Sequence, residues 1–194
     1  MMQLSGTIIV ASWTLFLLVW ALKYRGNKES ILVQPRRERL AYSLPLLLGV
    51  IAMSALPARL WPPLGVLAIP LWPRSPASVG AGARLALLGL ALALWARFTL
   101  GRDWSGLVTL KRDHRLVTSG PYAWIRHPIY TAMIALFGAL MLAFGTGGAI
   151  IGWLLIIASC QVKLRQEEAL MLGRFPEAYP AYMARTRRLL PFLL

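Results

Sequence analysis

The sequence PIYTAMIALFGALMLAFGTGGAIIGWLLIIASCQV, residues 128–162, decides the class of fold. It consists of two apolar segments, 128–144 and 149–162, which are joined by the short Gly-Thr-Gly-Gly turn at 145–148. Apolar segments of this kind predict helices, because a chain inside a bilayer must satisfy its backbone polar groups internally. The short turn indicates that the two helices form an antiparallel hairpin in a membrane.

The composition of the whole chain also indicates a membrane protein. Of its 194 residues 58% are hydrophobic and the mean hydropathy is +0.61, which is too apolar for a soluble globule to cover with polar surface. Three further apolar runs, residues 4–22, 40–60 and 84–100, raise the predicted number of spans to five. We therefore predict an all-α integral membrane fold with a single membrane domain, residues 1–194.

The charges predict the orientation of these spans. The formal net charge is +14, which in a soluble protein would indicate nucleic acid as a partner. Here the basic residues lie between apolar runs, so we predict contacts with membrane lipids and no nucleic acid. With five spans, the basic loops 23–39 and 101–127 and the tail 163–194 fall on one side. The positive-inside rule predicts that this side is cytoplasmic and the N-terminus external, in a prokaryotic inner membrane.

Proline and cysteine set further limits. The stretch 57–82 is rich in Pro and Trp, so we predict an interfacial loop there, while Pro45 is assigned to the first turn of the second span. Cys160 is the only cysteine and there are two histidines, so we predict no disulfide and no metal site.

The tail contains the first candidate site, an amphipathic helix from Lys163 to Phe175. At 100° per residue, Glu168 falls within its apolar stripe and Glu167 falls at the edge, where Lys163 can pair with it at i,i+4. Burial of a carboxylate is costly unless a cation meets it, which favours a functional site. An ordinary solvated helix with stabilising ion pairs is the alternative.

The second candidate site is HRLVTSGPYAWIRHPIY, residues 114–130. Gly120-Pro121 is typical of a turn, and Pro128 suits the first turn of the fourth span. Arg126 and His127 then lie beside a helix N-terminus, which favours an anion such as a carboxylate or phosphate. The alternative is that Arg126 contacts lipid phosphates and that the aromatic residues belong to an interfacial belt.

Together, residues 114–130, the pair Glu167-Glu168 and the sequence FPEAY at 175–179 resemble the isoprenylcysteine carboxyl methyltransferase family. The resemblance covers about the last hundred residues of the chain. It implies a cytoplasmic pocket for S-adenosylmethionine, formed by residues 101–127 and 163–194. The cofactor-binding residues that it implies are His114, Arg115, Leu116, Val117, Tyr122, His127, Pro128, Ile129, Tyr130, Glu167 and Glu168.

The resemblance also implies O-methylation of a carboxylate on a prenylcysteine-like or other lipophilic substrate. Such an acceptor is ionised at neutral pH, so no general base is required, only a cation to hold it. The family carries an Arg four residues before the first Glu, where this chain has Lys163. We predict that Lys163, Arg165 and Arg126 bind the substrate, although Lys lacks the bidentate fork of Arg.

Other functions share parts of this pattern. Phospholipid N-methyltransferases and thiol S-methyltransferases are similar to this chain and keep the same cofactor. Membrane sterol reductases that bind NADPH have a similar C-terminal half, but their tail motif, rich in Cys, Lys and Trp, is absent from this sequence. A membrane accessory protein of a metal-resistance system, without turnover, is the remaining alternative.

Overall fold

The computed structural model describes residues 1–24, 29–54, 59–60, 62–111 and 115–189. Its main elements, in chain order, are α1 (Met2–Tyr24), β1 (Ser30–Val33), α2 (Arg36–Met53), α3 (Pro76–Leu100), β2 (Thr109–Lys111), α4 (Pro128–Phe144), α5 (Gly147–Arg174) and α6 (Ala178–Arg185). Short 3-10 helices at Pro62–Ala68, Gly101–Asp103 and Gly120–Ala123 lie in the connections. The fold is mainly helical, as the sequence predicted.

Two helix packings form the apolar core. Helix α3 packs between α1 and α4, where small residues such as Ala86, Ala93 and Ala132 are fully buried and allow close approach of the helices. Helix α2 packs along α5, and a Cβ atom at Gly49 would lie only 2.7 Å from the carbonyl oxygen of Gly152. Helix α4 contributes residues to the apolar clusters of both packings, so its first turn lies between them.

Within the described residues, three helices are long and apolar enough to cross a membrane: Met2–Lys23, Pro76–Asp103 and Gly147–Arg174. Helix α4, Pro128–Phe144, is a shorter apolar helix. In α1 only 17% of the apolar window is buried inside the protein, which leaves most of its side chains for lipid. The described part of α2 carries Arg and Glu in its first turn and ends at Met53, so the total of five spans stays a prediction.

Several helix boundaries differ from those predicted. Helix α3 begins at Pro76, well before residue 84, because the side chains and backbones of Ser75 and Ser78 form a capping box. Helix α5 runs without interruption to Arg174, so the predicted fifth span and the tail helix are one helix. Nothing in the sequence breaks it at residue 163, and its 28 residues continue beyond the apolar segment.

Pro45 lies inside α2 and not in its first turn, because this helix begins at Arg36. A proline inside a helix lacks the N–H that would bond to the carbonyl four residues earlier. In α2 this carbonyl belongs to Ala41. The carbonyl oxygen of the following residue, Tyr42, accepts a 2.6 Å hydrogen bond from the hydroxyl of Ser159 in α5. Helix α5 therefore stabilises α2 beside its proline.

The two strands were not predicted from the sequence. Strands β1 and β2 pair antiparallel, with Leu32 opposite Leu110 and Val33 opposite Thr109. The side-chain amide of Gln166 in α5 also donates to the carbonyl oxygen of Glu38 at the start of α2. The segments before α2, after α3 and at the end of α5 therefore meet at one end of the helix bundle.

Candidate active site

A cavity opens at this end of the bundle, between the segment after α3, the start of α4 and the end of α5. Aromatic residues contribute much of its wall: Trp20, Trp104, Tyr122, Tyr130, Tyr179 and Tyr182. Ionisable side chains in the lining are Asp103, Arg115, Arg126, His127, Lys163 and Glu167, and apolar ones include Leu116, Val117, Ile129, Met133, Leu170 and Met171. The lining thus combines aromatic faces, a carboxylate on α5 and several basic groups.

Glu167 presents its carboxylate to the cavity. The hydroxyl of Tyr130 donates a 2.5 Å hydrogen bond to Oε1 of Glu167, and Nδ1 of His127 lies 3.7 Å from Oε2. The Glu167 side chain is 25% exposed, so part of the carboxylate is left to a ligand. The predicted position of this residue at the edge of an apolar stripe explains its exposure.

Glu168 points away from the cavity into a buried ionic cluster, which we name the Glu168 cluster (Glu168, Arg126, His127 and Arg188). Its Oε1 accepts a 2.8 Å bond from Nε of Arg126 and lies 3.3 Å from Nε2 of His127, while Oε2 accepts a 2.6 Å bond from Nη2 of Arg188. The Glu168 side chain is 5% exposed. Among the described lining residues Glu168 does not occur, so its predicted contact with a cofactor is not supported by this geometry.

The predicted anion site at the start of α4 is filled by the chain itself. The backbone N–H of Arg126 donates to the carbonyl oxygen of Arg187 at 2.7 Å, and that of His127 donates to Arg188 at 3.1 Å. Because these carbonyl groups already satisfy the donors before the helix, we correct the interpretation that an external carboxylate or phosphate binds them.

The three predicted substrate-binding cations have different environments. Nζ of Lys163 donates to the carbonyl oxygen of Gly106 at 2.7 Å and lies over the rings of Tyr42 and Tyr130 at the cavity wall. Arg126 lines the cavity, but its guanidinium is bonded to Glu168 and to two backbone carbonyl groups near the C-terminus. Arg165 is exposed and is absent from the described lining, because it lies on another face of α5. This geometry therefore does not support the prediction that Arg126 and Arg165 bind the substrate.

The other predicted cofactor-binding residues are mostly adjacent in space. Arg115, Leu116, Val117, Tyr122, Ile129 and Tyr130 line the cavity with His127. Pro128 is buried as the first residue of α4 and does not occur among the described residues that line the cavity. His114 lies outside the described residues.

Some lining residues come from positions that the sequence did not single out as a site. Tyr179 and Tyr182 lie three residues apart on α6, and the hydroxyl of Tyr182 donates a 2.7 Å bond to the carbonyl oxygen of Tyr122. The spacing of these tyrosines was the available signal. Trp104 packs under the guanidinium of Arg97, which is 1% exposed and also bonds to the carbonyl groups of Gly101 and Lys23.

Burial keeps the tyrosines of the site protonated. It raises the pKa of Tyr182 to about 12, against the smaller opposing effect of Arg126. Burial also raises the pKa of Tyr122 and of Tyr179 well above the ordinary value, and the nearby carboxylates add to this effect. These hydroxyl groups therefore act as neutral hydrogen-bond donors and not as bases near neutral pH.

Comparison with known proteins relates this geometry to one family. The model of the isoprenylcysteine carboxyl methyltransferase (ICMT) family matches residues 82–173, which include most of α3, the connection from α3 to α4, all of α4 and nearly all of α5. This range holds most of the cavity lining, including Tyr122, His127 and Glu167.

Curated relatives carry two kinds of name. The cobalt-zinc-cadmium resistance protein CzcN of Cupriavidus metallidurans is 34% identical over 113 residues, or 56% of this chain and 49% of that protein. The protein-S-isoprenylcysteine O-methyltransferase of Rattus norvegicus is 31% identical over 117 residues, or 58% of this chain and 41% of that enzyme. The human enzyme of that name is 30% identical over 119 residues, with 58% and 40% covered. The chain thus matches less than half the length of these relatives.

A solved structure, that of the eukaryotic intramembrane Ras methyltransferase ICMT, has the same type of fold. Its TM-score is 0.54 at 24% identity, and the alignment covers 78% of this chain and 52% of that one. The apolar helices and this match assign the chain to the integral membrane proteins. Residues 82–173, which supply most of the cavity lining, match the model of the isoprenylcysteine carboxyl methyltransferase family.

Proposed function

We propose that this chain is a membrane methyltransferase that uses S-adenosylmethionine and methylates a lipophilic acceptor. The observation that carries the proposal is the cavity itself. Within residues 82–173, a partly exposed carboxylate, two tyrosine rings and a lysine line one cavity at the end of a bundle of apolar helices. The names of the curated methyltransferases support the same reaction class.

The chemistry of the lining fits S-adenosylmethionine. This cofactor has a sulfonium cation, an amine, a carboxylate and an adenine, which call for aromatic faces, an acid and a basic group. Tyr122, His127 and Tyr130 are proposed to hold the methionine portion, and Glu167 to accept hydrogen bonds from the amine or the adenosine. The side chains of Leu116 and Val117 offer an apolar surface in the same cavity.

The residues of the chain have distinct tasks in the proposed reaction. When bound, S-adenosylmethionine would supply an activated methyl group: its bond to the positively charged sulfur would break as the acceptor bonds to the methyl carbon, and the sulfur would leave as a neutral thioether. A carboxylate acceptor is already ionised at neutral pH, so the chain needs only to orient it and to exclude water. The ammonium of Lys163 is the proposed contact for the acceptor, and Met133, Leu170 and Met171 limit the access of water.

A prenylcysteine-like carboxylate is the acceptor that we favour. It matches the names of the curated methyltransferases and the position of Lys163 at the wall. The lysine ammonium is a point charge and cannot form the bidentate pair that arginine forms, so it binds a carboxylate through fewer hydrogen bonds. An aminophospholipid and a small thiol are the other acceptors to be compared.

The proposed orientation has the cavity on the cytoplasmic side and the N-terminus outside. It is supported by the pairing of β1 with β2, which joins two basic segments at one end of the bundle. Excess Lys and Arg mark cytoplasmic loops. We propose a prokaryotic inner membrane as the location. We further propose that residues 1–194 form a single membrane domain.

Equilibrium binding to the detergent-purified chain tests the cofactor. We expect S-adenosylmethionine to bind and NADPH not to bind, and we expect Glu167→Ala and His127→Ala each to weaken binding of S-adenosylmethionine. Glu177→Ala, which alters an exposed acid away from the cavity lining, is the matched control. Binding of NADPH in place of S-adenosylmethionine would contradict the proposal. So would an affinity for S-adenosylmethionine that neither cavity substitution changes.

Transfer of a labelled methyl group then ranks the acceptors. The purified chain is supplied with a prenylated cysteine, an aminophospholipid or a small thiol, each at the same concentration. If the proposed acceptor is correct, the prenylated cysteine will have the highest kcat/KM of the three compounds. Cofactor binding without transfer to any of the three would remove this acceptor from the proposal.

A further inference from the structure

The segment that follows α6, residues 186–189, lies against the segment that begins α4. The N–H of Arg187 donates to the carbonyl oxygen of Trp124 at 2.9 Å, and the N–H of Arg126 donates back to that of Arg187 at 2.7 Å. The N–H of His127 donates to Arg188 at 3.1 Å, so the contact continues into the first turn of α4. Residues 186–189 are named the C-terminal segment.

Side-chain contacts hold the C-terminal segment in place at Leu189. Leu189 is 6% exposed and packs in the apolar cluster that contains Tyr130 and Leu164. The hydroxyl of Thr131 donates a 2.5 Å bond to the carbonyl oxygen of Leu189. The segment is therefore part of the packed structure.

Arg188 connects this segment to the Glu168 cluster. Its Nη2 donates to Oε2 of Glu168 at 2.6 Å, while the other carboxylate oxygen contacts Arg126 and His127. In this way one oxygen of Glu168 fixes the C-terminal segment and the other fixes two residues of the cavity wall. Arg188 itself does not occur among the described residues that line the cavity.

We propose that Arg188 is a positioning residue of the cofactor site. It orients the Glu168 carboxylate, which in turn holds the ring of His127 between Glu168 and Glu167. Without Arg188, one oxygen of a buried carboxylate loses its charged partner, and the carboxylate can turn away from His127. This inference rests on the proposed function, because it assumes that the wall formed by His127 and Glu167 binds S-adenosylmethionine.

Calorimetric titration with S-adenosylmethionine compares Arg188→Met, Arg188→Lys and the native full-length chain. We expect Arg188→Met to raise the Kd about tenfold, because a hydrogen bond between charged groups is lost, with the number of binding sites unchanged. Arg188→Lys keeps a positive charge and should recover most of the affinity. Arg187→Met is the matched control, because it removes the same charge from an exposed side chain, and we expect a Kd within about twofold of native.

The number of sites separates positioning from a merely structural role. Partial unfolding lowers the number of sites and leaves the Kd of the remaining molecules unchanged, whereas a displaced His127 raises the Kd of every molecule. If Arg188→Met does not fold, Arg188→Gln gives the same comparison. An unchanged Kd in these variants, or an equal increase in Arg187→Met, overturns the role of Arg188.

Hydrogen exchange without any ligand tests the same contact independently. Peptides that cover residues 122–131 should exchange faster in Arg188→Met than in Arg187→Met, because the amides of Arg126 and His127 depend on the C-terminal segment. Equal exchange in the two variants argues against the proposal. If the native chain does not bind S-adenosylmethionine, the proposed function fails; if it binds and Arg188→Met binds equally well, only the inference on Arg188 fails.

Discussion

The hydroxyl of Tyr130 in the first turn of α4 donates a 2.5 Å hydrogen bond to Oε1 of Glu167 on α5. The two residues are 37 positions apart, and this bond joins two helices at the cavity wall. Since Glu167 is partly exposed while Tyr130 is buried, the tyrosine holds the carboxylate in one orientation toward the cavity. A ligand that needs this carboxylate therefore meets a preorganised acceptor.

Removal of the Tyr130 hydroxyl should weaken cofactor binding more than it weakens the fold. In Tyr130→Phe the ring still packs, but Glu167 loses its donor, and we expect the Kd for S-adenosylmethionine to rise about tenfold. Titration calorimetry measures the Kd, and thermal unfolding measures the stability. Glu167→Gln is the companion variant, since it keeps an oxygen acceptor and removes the charge. A native Kd in Tyr130→Phe would show that this bond does not orient the site.

Loss of Glu168 should affect stability more than loss of its neighbour Glu167. Glu168→Ala leaves the buried guanidinium of Arg126, 9% exposed, without its carboxylate, and breaking such a pair costs about 3–5 kcal/mol. Glu167→Ala leaves no buried cation unpaired in the same way, so its cost should be smaller. Unfolding in detergent, followed by tryptophan fluorescence, gives both values. Equal stabilities of the two variants would contradict the assignment of Glu168 to a structural cluster.

Lys163 should determine transfer and not cofactor affinity. Its ammonium is held 2.7 Å from the carbonyl oxygen of Gly106 and lies over the rings of Tyr42 and Tyr130. In Lys163→Met we expect the Kd for S-adenosylmethionine to stay within about threefold, while kcat/KM for a carboxylate acceptor falls about a hundredfold as its charge contact is lost. Lys163→Arg should recover transfer. Arg165→Met, on the exposed face of α5, is the control and should behave as native.

The sequence predicted best those elements that depend on local residues. Helix α4 begins at Pro128 and ends before Gly145, as predicted, because proline suits a first turn and Gly145 has a left-handed conformation. The burial of Glu168 also followed from helical periodicity. By contrast, a change from apolar to amphipathic character does not end a helix, and for this reason α5 continues past residue 163.

Spacing rules within one helix could not predict contacts between residues that are far apart in the sequence. Arg126 and Glu168 are 42 positions apart, and Glu168 and Arg188 are 20 apart, so neither pair repeats at a helical interval within one element. The local pattern instead favoured a pair between Lys163 and Glu167, and within the described residues no ion pair joins them, since Lys163 bonds to Gly106. The anion site at α4 was wrong for the same reason, because the carbonyl groups that fill it come from the C-terminal segment.

A side chain at Gly120 should disturb the cavity through the backbone. Gly120 has a φ of +58°, and a Cβ atom there would lie 2.8 Å from Oγ1 of Thr99 on α3. Both effects oppose Gly120→Ala, which we expect to destabilise the fold by about 1–3 kcal/mol and to weaken cofactor binding by displacing Tyr122. Gly80→Ala, inside α3 and with open space around the new methyl, is the matched control and should be neutral or stabilising. Thermal unfolding measures the stability of both variants, and titration measures their affinity for S-adenosylmethionine. A stable Gly120→Ala with native affinity would mean that this turn does not position Tyr122.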